Sequence, residues 1–117
     1  MSATPIPISE LTLEAVTTPE EILVRCSGRI TSNTSGSFQT KVRGLIPETK
    51  CVVLDLTDVN QIDSSGLGAL VSVYLAAKRR GCALKLINLS RRLQELFRIT
   101  KLFSVFEGRG ENYFEGY

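Results

Sequence analysis

Cys51-Val52-Val53-Leu54-Asp55-Leu56 is the stretch that decides the fold. Nearly every position is apolar, as in a central strand covered on both faces rather than a half-exposed one. Toward the C-terminus, Thr57 to Asp63 reads as a loop. Leu67, Leu70, Val71, Tyr74 and Leu75 then share a helical stripe, whose last turn is basic (Lys78, Arg79, Arg80). Gly81 stands at the C′ position that ends such a helix. Ala83-Leu84-Lys85-Leu86-Ile87 alternates as a strand, and Leu93, Leu96 and Phe97 mark a third helix starting near Asn88 or Ser90. Ser104-Val105-Phe106 reads as a short last strand, and Glu107 to Tyr117, Gly-rich and charged, as a loose tail.

Toward the N-terminus, Phe38, Val42, Leu45 and Ile46 fall on one face of a helix that Pro47 ends. Thr31 to Ser37 supplies polar N-caps for it. Gly28 closes a strand with Ile22, Val24 and Cys26 on one face. Leu11-Thr12-Leu13-Glu14-Ala15 alternates before the Thr17 to Glu21 turn, so these two strands form an antiparallel hairpin. The order is β-β-α-β-α-β-α with a short final strand. That pattern predicts an α/β fold: a mixed β-sheet of four to five strands, first strand antiparallel, with three or more helices packed on it. The expected core is Val24, Val53, Leu54, Leu56, Leu70, Leu84, Leu86, Leu93 and Leu96. The expected organisation is a lead over 1–10, one domain over 11–107 and a tail over 108–117.

A chain of 117 residues fits one domain with a core of its own. Its net charge of +2 is too balanced to argue for nucleic acid, and no basic stripe carries interleaved aromatics. Lys78-Arg79-Arg80 and Arg91-Arg92 sit beside helix ends and read as solvated caps. Met1 to Glu10 lacks the basic start and apolar run of a signal peptide, and no apolar run approaches the ~20 residues of a membrane span. No membrane insertion is expected, and the cytoplasm is the expected location. Cys26, Cys51 and Cys82 are far apart, in or beside strands, and read as buried thiols in a reducing compartment. With no CxxC pair and no histidine, a zinc site, a Ser-His-Asp triad and a Cys-His pair are not expected within the chain. No paired-carboxylate motif stands out. The reading is a protein that is not an enzyme and holds no cofactor.

Function in open α/β sheets gathers at the carboxyl ends of strands and the helix N-termini beyond them. Here that edge holds Gly28 to Thr34 and Asp58 to Gly68. Within it, Ile62-Asp63-Ser64-Ser65-Gly66-Leu67-Gly68 opens a helix with two serines and a glycine. The free N–H groups and macrodipole of a helix start favour a negative group, so a phosphate on Ser64 or Ser65 would find donors nearby. The same residues also read as plain caps, with Gly66 and Gly68 permitting close helix–sheet packing. Gly66-x-Gly68 is too short for a dinucleotide fingerprint, and no GKS or GKT sequence occurs.

Val53-Leu54-Asp55-Leu56-Thr57-Asp58-Val59, followed by Asp63-Ser64-Ser65-Gly66-Leu67-Gly68-Ala69-Leu70, resembles the signature of STAS domains in anti-sigma factor antagonists. Gly81…Leu84-Lys85-Leu86-Ile87-Asn88…Leu96-Phe97…Leu102-Phe103 is similar as well. The resemblance covers roughly residues 11–107 and implies the STAS-type mixed sheet. In that family the first serine after the motif aspartate takes a phosphate from ATP held by a partner kinase, which is also the anti-sigma factor. The matching residue is Ser64, with Ser65 its unmodified neighbour. The implied function is partner switching controlled by phosphorylation of Ser64. The implied partners are an anti-sigma factor serine kinase, a histidine-kinase-like ATPase, and a PP2C-type phosphatase. The partner-binding surface is expected at Thr31, Ser32, Asn33, Asp63, Ser65, Gly66 and Leu67, with Asp55, Asp58 and Asp63 adding to a negative field. The family usually carries an aspartate shortly after the glycine of the second strand; here Gly28-Arg29-Ile30 is followed by Thr31. Two other readings of such a domain are a scaffold or accessory subunit of a signalling or transporter complex, and a module that senses a nucleotide or anion.

Overall fold

A computed structural model of the chain describes residues 10–100 and the backbone of 114–115. The elements are β1 (Leu11–Thr17), β2 (Ile22–Ile30), α1 (Ser35–Leu45), a 3-10 turn (Ile46–Glu48), β3 (Cys51–Ile62), α2 (Ser64–Arg79), β4 (Ala83–Ile87), α3 (Arg91–Ile99) and β5 (Phe114–Glu115). They form one five-stranded sheet in the order β1-β2-β3-β4-β5. The β1–β2 pair is antiparallel and every other pair parallel. This is the mixed sheet that the sequence predicts, with β3 in its centre. The expected strand at 104–106 lies outside the described residues, and the fifth strand is formed by two residues of the segment read as a tail.

Alternation along the strands puts Ile22, Val24 and Cys26 of β2, Val52, Leu54 and Leu56 of β3, and Leu84 and Leu86 of β4 into a single core with the helices. Phe38, Val42 and Ile46 meet it from α1 and the turn after it, at i, i+4 and i+8. Val53, on the other face of β3, is only 5% exposed. Leu96 departs from the expected core: it is half-buried while Phe97 is fully enclosed.

The stripe of α2 is also rotated from the expected one. Leu75 is 44% exposed and Val71 half-buried, whereas Gly66, Ala69, Leu70, Val73, Tyr74 and Ala77 face inward. Small residues at 66, 69 and 77 let the helix lie close to the sheet, and close approach buries more than the bulkier flank would. The helix ends as expected at Gly81 (φ +70°). Gly81 N–H donates to Lys78 O at 3.2 Å and Cys82 N–H to Ala77 O at 2.9 Å, the paired bonds of a Schellman motif. α3 starts at Ser90, whose Oγ accepts from Leu93 N–H at 3.1 Å.

Two strands run further than the sequence suggests. β2 continues through Gly28 to Ile30, and β3 continues through the expected loop to Ile62, the two pairing with irregular register. Gly28 is required at its position. Its φ is +116°, and a Cβ there would lie 2.1 Å from Glu10 O. The thiols form no disulfide; Cys26 and Cys82 are buried and Cys51 half-buried. Burial, with the nearby Asp55 charge, pushes the Cys26 thiol up to about 12. Among the described residues no helix is long and apolar enough to cross a membrane.

Candidate functional site

The extension of β2 and β3 carries their ends to one place. Ile30 pairs with Ile62, so the chain leaves both strands side by side, one into the Thr31–Thr34 turn and the other into α2. Asp63 joins the two exits. It sits in extended conformation as the N-cap of α2, and its Oδ1 accepts from Gly66 N–H at 2.9 Å. Its Oδ2 accepts from Ser32 N–H at 3.1 Å, across 31 residues of sequence. Its own N–H donates to Ile30 O at 3.3 Å. One carboxylate thus caps the helix and ties the neighbouring turn to it.

Gly66 makes this closeness possible. A Cβ at that position would lie 2.0 Å from Ile30 O and 2.6 Å from Ile62 Cγ1. Gly68 has open space around it, so only the first glycine of the pair serves close packing. The turn over 31–34 is held from within. Thr34 Oγ1 donates to Arg29 O at 2.8 Å and accepts from Thr31 N–H at 2.9 Å, with both threonines buried. α1 therefore has no side-chain cap bond from Thr34, whose hydroxyl is spent on the turn.

Ser64, Ser65, Ser32 and Asn33 are exposed on this edge. The remaining residues expected at a partner surface lie beneath it. Thr31, Gly66 and Leu67 are buried, and Asp63 is half-buried with both oxygens engaged. Their contribution is to hold Ser64, Ser65, Ser32 and Asn33 in place. Helix order leaves the first-turn amides of Ser64 and Ser65 without intrahelical acceptors, and they stand at the positive end of the helix dipole.

Asp55 does not join the edge. Ile62 lies seven positions further along the strand, roughly 23 Å on an extended chain. Desolvation alone would raise its pKa. Hydrogen bonds from the Thr57 hydroxyl (2.5 Å), Thr57 N–H (3.0 Å) and Asn88 Nδ2 (3.2 Å), together with the Arg25 charge, outweigh that and hold the carboxyl below its usual value. Its role is to anchor the β4–α3 junction, where Asn88 takes the left-handed conformation (φ 60°). Asp58 lies on the same strand opposite Ser27, several residues short of the edge. Of the three aspartates expected to build a negative field, only Asp63 adjoins Ser64.

Ser64 itself stands exposed at the first position of α2. Its hydroxyl has no histidine in the chain to activate it, and the adjacent carboxylate is occupied by two backbone donors. A model of the STAS domain matches residues 12–114. The chain belongs to the STAS-domain family. This STAS domain is 34% identical over 87 residues to the anti-sigma-B factor antagonist of Bacillus subtilis, covering 74% of this chain and 80% of that protein. In structure it is similar to an anti-sigma factor antagonist from Mycobacterium paratuberculosis, with a TM-score of 0.75 at 19% identity, covering 89% of this chain and 88% of that one. It is also similar to the anti-sigma factor antagonist SpoIIAA in its unphosphorylated form, with a TM-score of 0.66 at 16% identity over 92% and 88% of the two chains. At these identities the structural likeness establishes the fold.

Proposed function

We propose that this STAS domain is a cytoplasmic anti-sigma factor antagonist that works by partner switching, with phosphorylation of Ser64 as its control. The observation that carries the proposal is the exposed Ser64 hydroxyl at the head of α2, on an edge made rigid by the Asp63 bonds to Gly66 and Ser32. A preformed edge loses little freedom on docking. The names of the curated relatives support the same reading.

In the unphosphorylated state Ser32, Asn33, Ser64 and Ser65 dock on a histidine-kinase-like anti-sigma factor, which releases its sigma factor. That partner holds ATP and supplies the base. The Ser64 Oγ attacks the γ-phosphorus, the bond from phosphorus to the β,γ-bridging oxygen breaks, ADP leaves, and the hydroxyl proton passes to the partner's base. The new phosphate brings a charge of about −1.5 to −2 next to the Asp63 carboxylate, at a surface that had accommodated a neutral hydroxyl. The complex then separates, and a PP2C-type phosphatase restores the hydroxyl by hydrolysis. Ser64 is a substrate position in this scheme, so the protein itself is not an enzyme. The test is incubation with the cognate kinase and ATP, with mass spectrometry of the peptide containing residues 63–66. Phosphate on Ser64 is expected; phosphate confined to Ser65 or another residue would replace this assignment.

A further inference from the structure

The surface of α1 and α2 is one-signed. The two helices, with the C-cap of α2, carry Lys41, Arg43, Lys78, Arg79 and Arg80 and no carboxylate, in a chain whose net charge is only +2. Three of these cations surround a hollow of about 220 Å³ between the C-terminal ends of the two helices. Arg43, Arg79 and Arg80 form its rim, and Ile46, Pro47 and Ala76 contribute apolar surface. Arg43 is oriented across the gap: its Nη2 donates to Ser72 Oγ on α2 at 2.8 Å. Among the described residues none of the three arginines takes part in an ion pair. Glu48, in the adjacent 3-10 turn, is not among the residues lining the hollow.

Cations in the last turns of helices offset the macrodipole, and that accounts for each arginine singly. It does not account for an apolar hollow between them, nor for Arg43 being bonded to the neighbouring helix. We infer that this hollow is a second docking surface, which takes an acidic peptide segment of a partner, with an aliphatic side chain in the hollow and carboxylates on the arginine rim. Guanidinium groups suit such a segment because each pairs with a carboxylate through two parallel N–H donors. An acidic peptide fits better than a nucleic acid, because no aromatic side chain lines the hollow to stack on a base. The surface is separate from Ser64. α2 has 16 residues, so its two ends are about 24 Å apart, and both surfaces can be occupied at once.

The test is fluorescence anisotropy with a labelled peptide of repeated Glu-Glu-Leu units, titrated with the full chain. Binding is expected to weaken as salt is added. Arg79→Glu combined with Arg80→Glu is expected to weaken it by about tenfold or more, and Arg43→Glu to weaken it from the other side of the hollow. Arg91→Glu with Arg92→Glu, the same charge change on α3, is expected to leave the affinity as it was. Circular dichroism confirms that each variant retains its helices. Failure of the wild-type chain to bind the peptide would overturn the inference. So would an equal loss in the α3 variant, which would reduce the effect to net charge. Single-stranded DNA that binds as tightly as the peptide through the same arginines would overturn it in favour of a nucleic-acid patch.

Discussion

Replacing Asp63 with alanine removes two acceptors at once, and the two can be separated. The N-cap bond to Gly66 N–H is worth about 0.5–2 kcal/mol. The bond from Ser32 N–H to the other carboxylate oxygen is charge-assisted, a class worth about 1.5–3 kcal/mol, at the low end here because Ser32 is exposed and water can replace the acceptor. Asp63→Ala should therefore destabilise the fold by about 2–3 kcal/mol, which lowers the urea midpoint by about 1–2 M at the usual slopes. Asp63→Asn keeps the cap through its Oδ1, but its amide nitrogen cannot accept from Ser32, so it should cost about half as much. The assay is urea unfolding followed by circular dichroism, with amide hydrogen exchange at Ser32 and Gly66. Protection at Ser32 should fall in both variants and at Gly66 in the alanine variant alone. If the alanine variant lies within about 0.5 kcal/mol of wild type, or the two variants are indistinguishable, Asp63 does not join the helix to the turn as described.

Three further outcomes follow from the same geometry. Gly66→Ala should destabilise by about 2 kcal/mol or more, because its Cβ would meet Ile30 O, whereas Gly68→Ala, with open space, should stabilise by up to about 1 kcal/mol; thermal or urea unfolding of the pair compares them directly. Asp55 has a folded-state pKa below its unfolded value, so it adds stability that is present above the unfolded pKa and lost as the pH falls through the folded one. Thr57→Val should raise that pKa and move acid unfolding to higher pH, read by NMR titration of the carboxyl and by the acid midpoint. With its thiol pushed up to about 12 by burial, Cys26 should be the slowest of the three cysteines to react with a thiol reagent at pH 8, and the half-buried Cys51 the fastest, as followed by mass spectrometry.

The order of elements was legible because the signals are local. An apolar run at 51–56, a proline at 47, a glycine at 81 and a serine at 90 each fix a strand or a helix end within a few residues. The extension of β3 to Ile62 was not. Thr57, Asp58, Asn60 and Gln61 look like a loop, and the register shifts against β2 break the alternation that would reveal Val59 and Ile62 as buried. The rotation of α2 was hidden for another reason. Ala69 and Ala77 carry weak hydrophobic signals, yet their small size is what lets the helix approach the sheet, and Leu75 loses to them despite its bulk. At the site, the Asp63 cap could be read from residues 63–66, since a cap is local. Its second bond to Ser32 could not, because nothing in the sequence pairs residues 31 positions apart until the strands align. The inward placement of Thr31 and Leu67 follows from the same alignment.

Under the proposed switch, one charge on Ser64 decides whether this protein holds its partner. Burying such a charge without a counterpart costs on the order of 3–5 kcal/mol, and each ~1.4 kcal/mol is a factor of ten in affinity. The most direct measurement is a binding titration of the cognate histidine-kinase-like anti-sigma factor against wild type, Ser64→Ala, Ser64→Asp and the protein phosphorylated at Ser64. Wild type and Ser64→Ala are expected to bind alike. Ser64→Asp and the phosphorylated form are expected to bind roughly a hundredfold more weakly or worse, with the fold intact in all four. Equal binding by the unphosphorylated and phosphorylated forms would contradict the proposed switch.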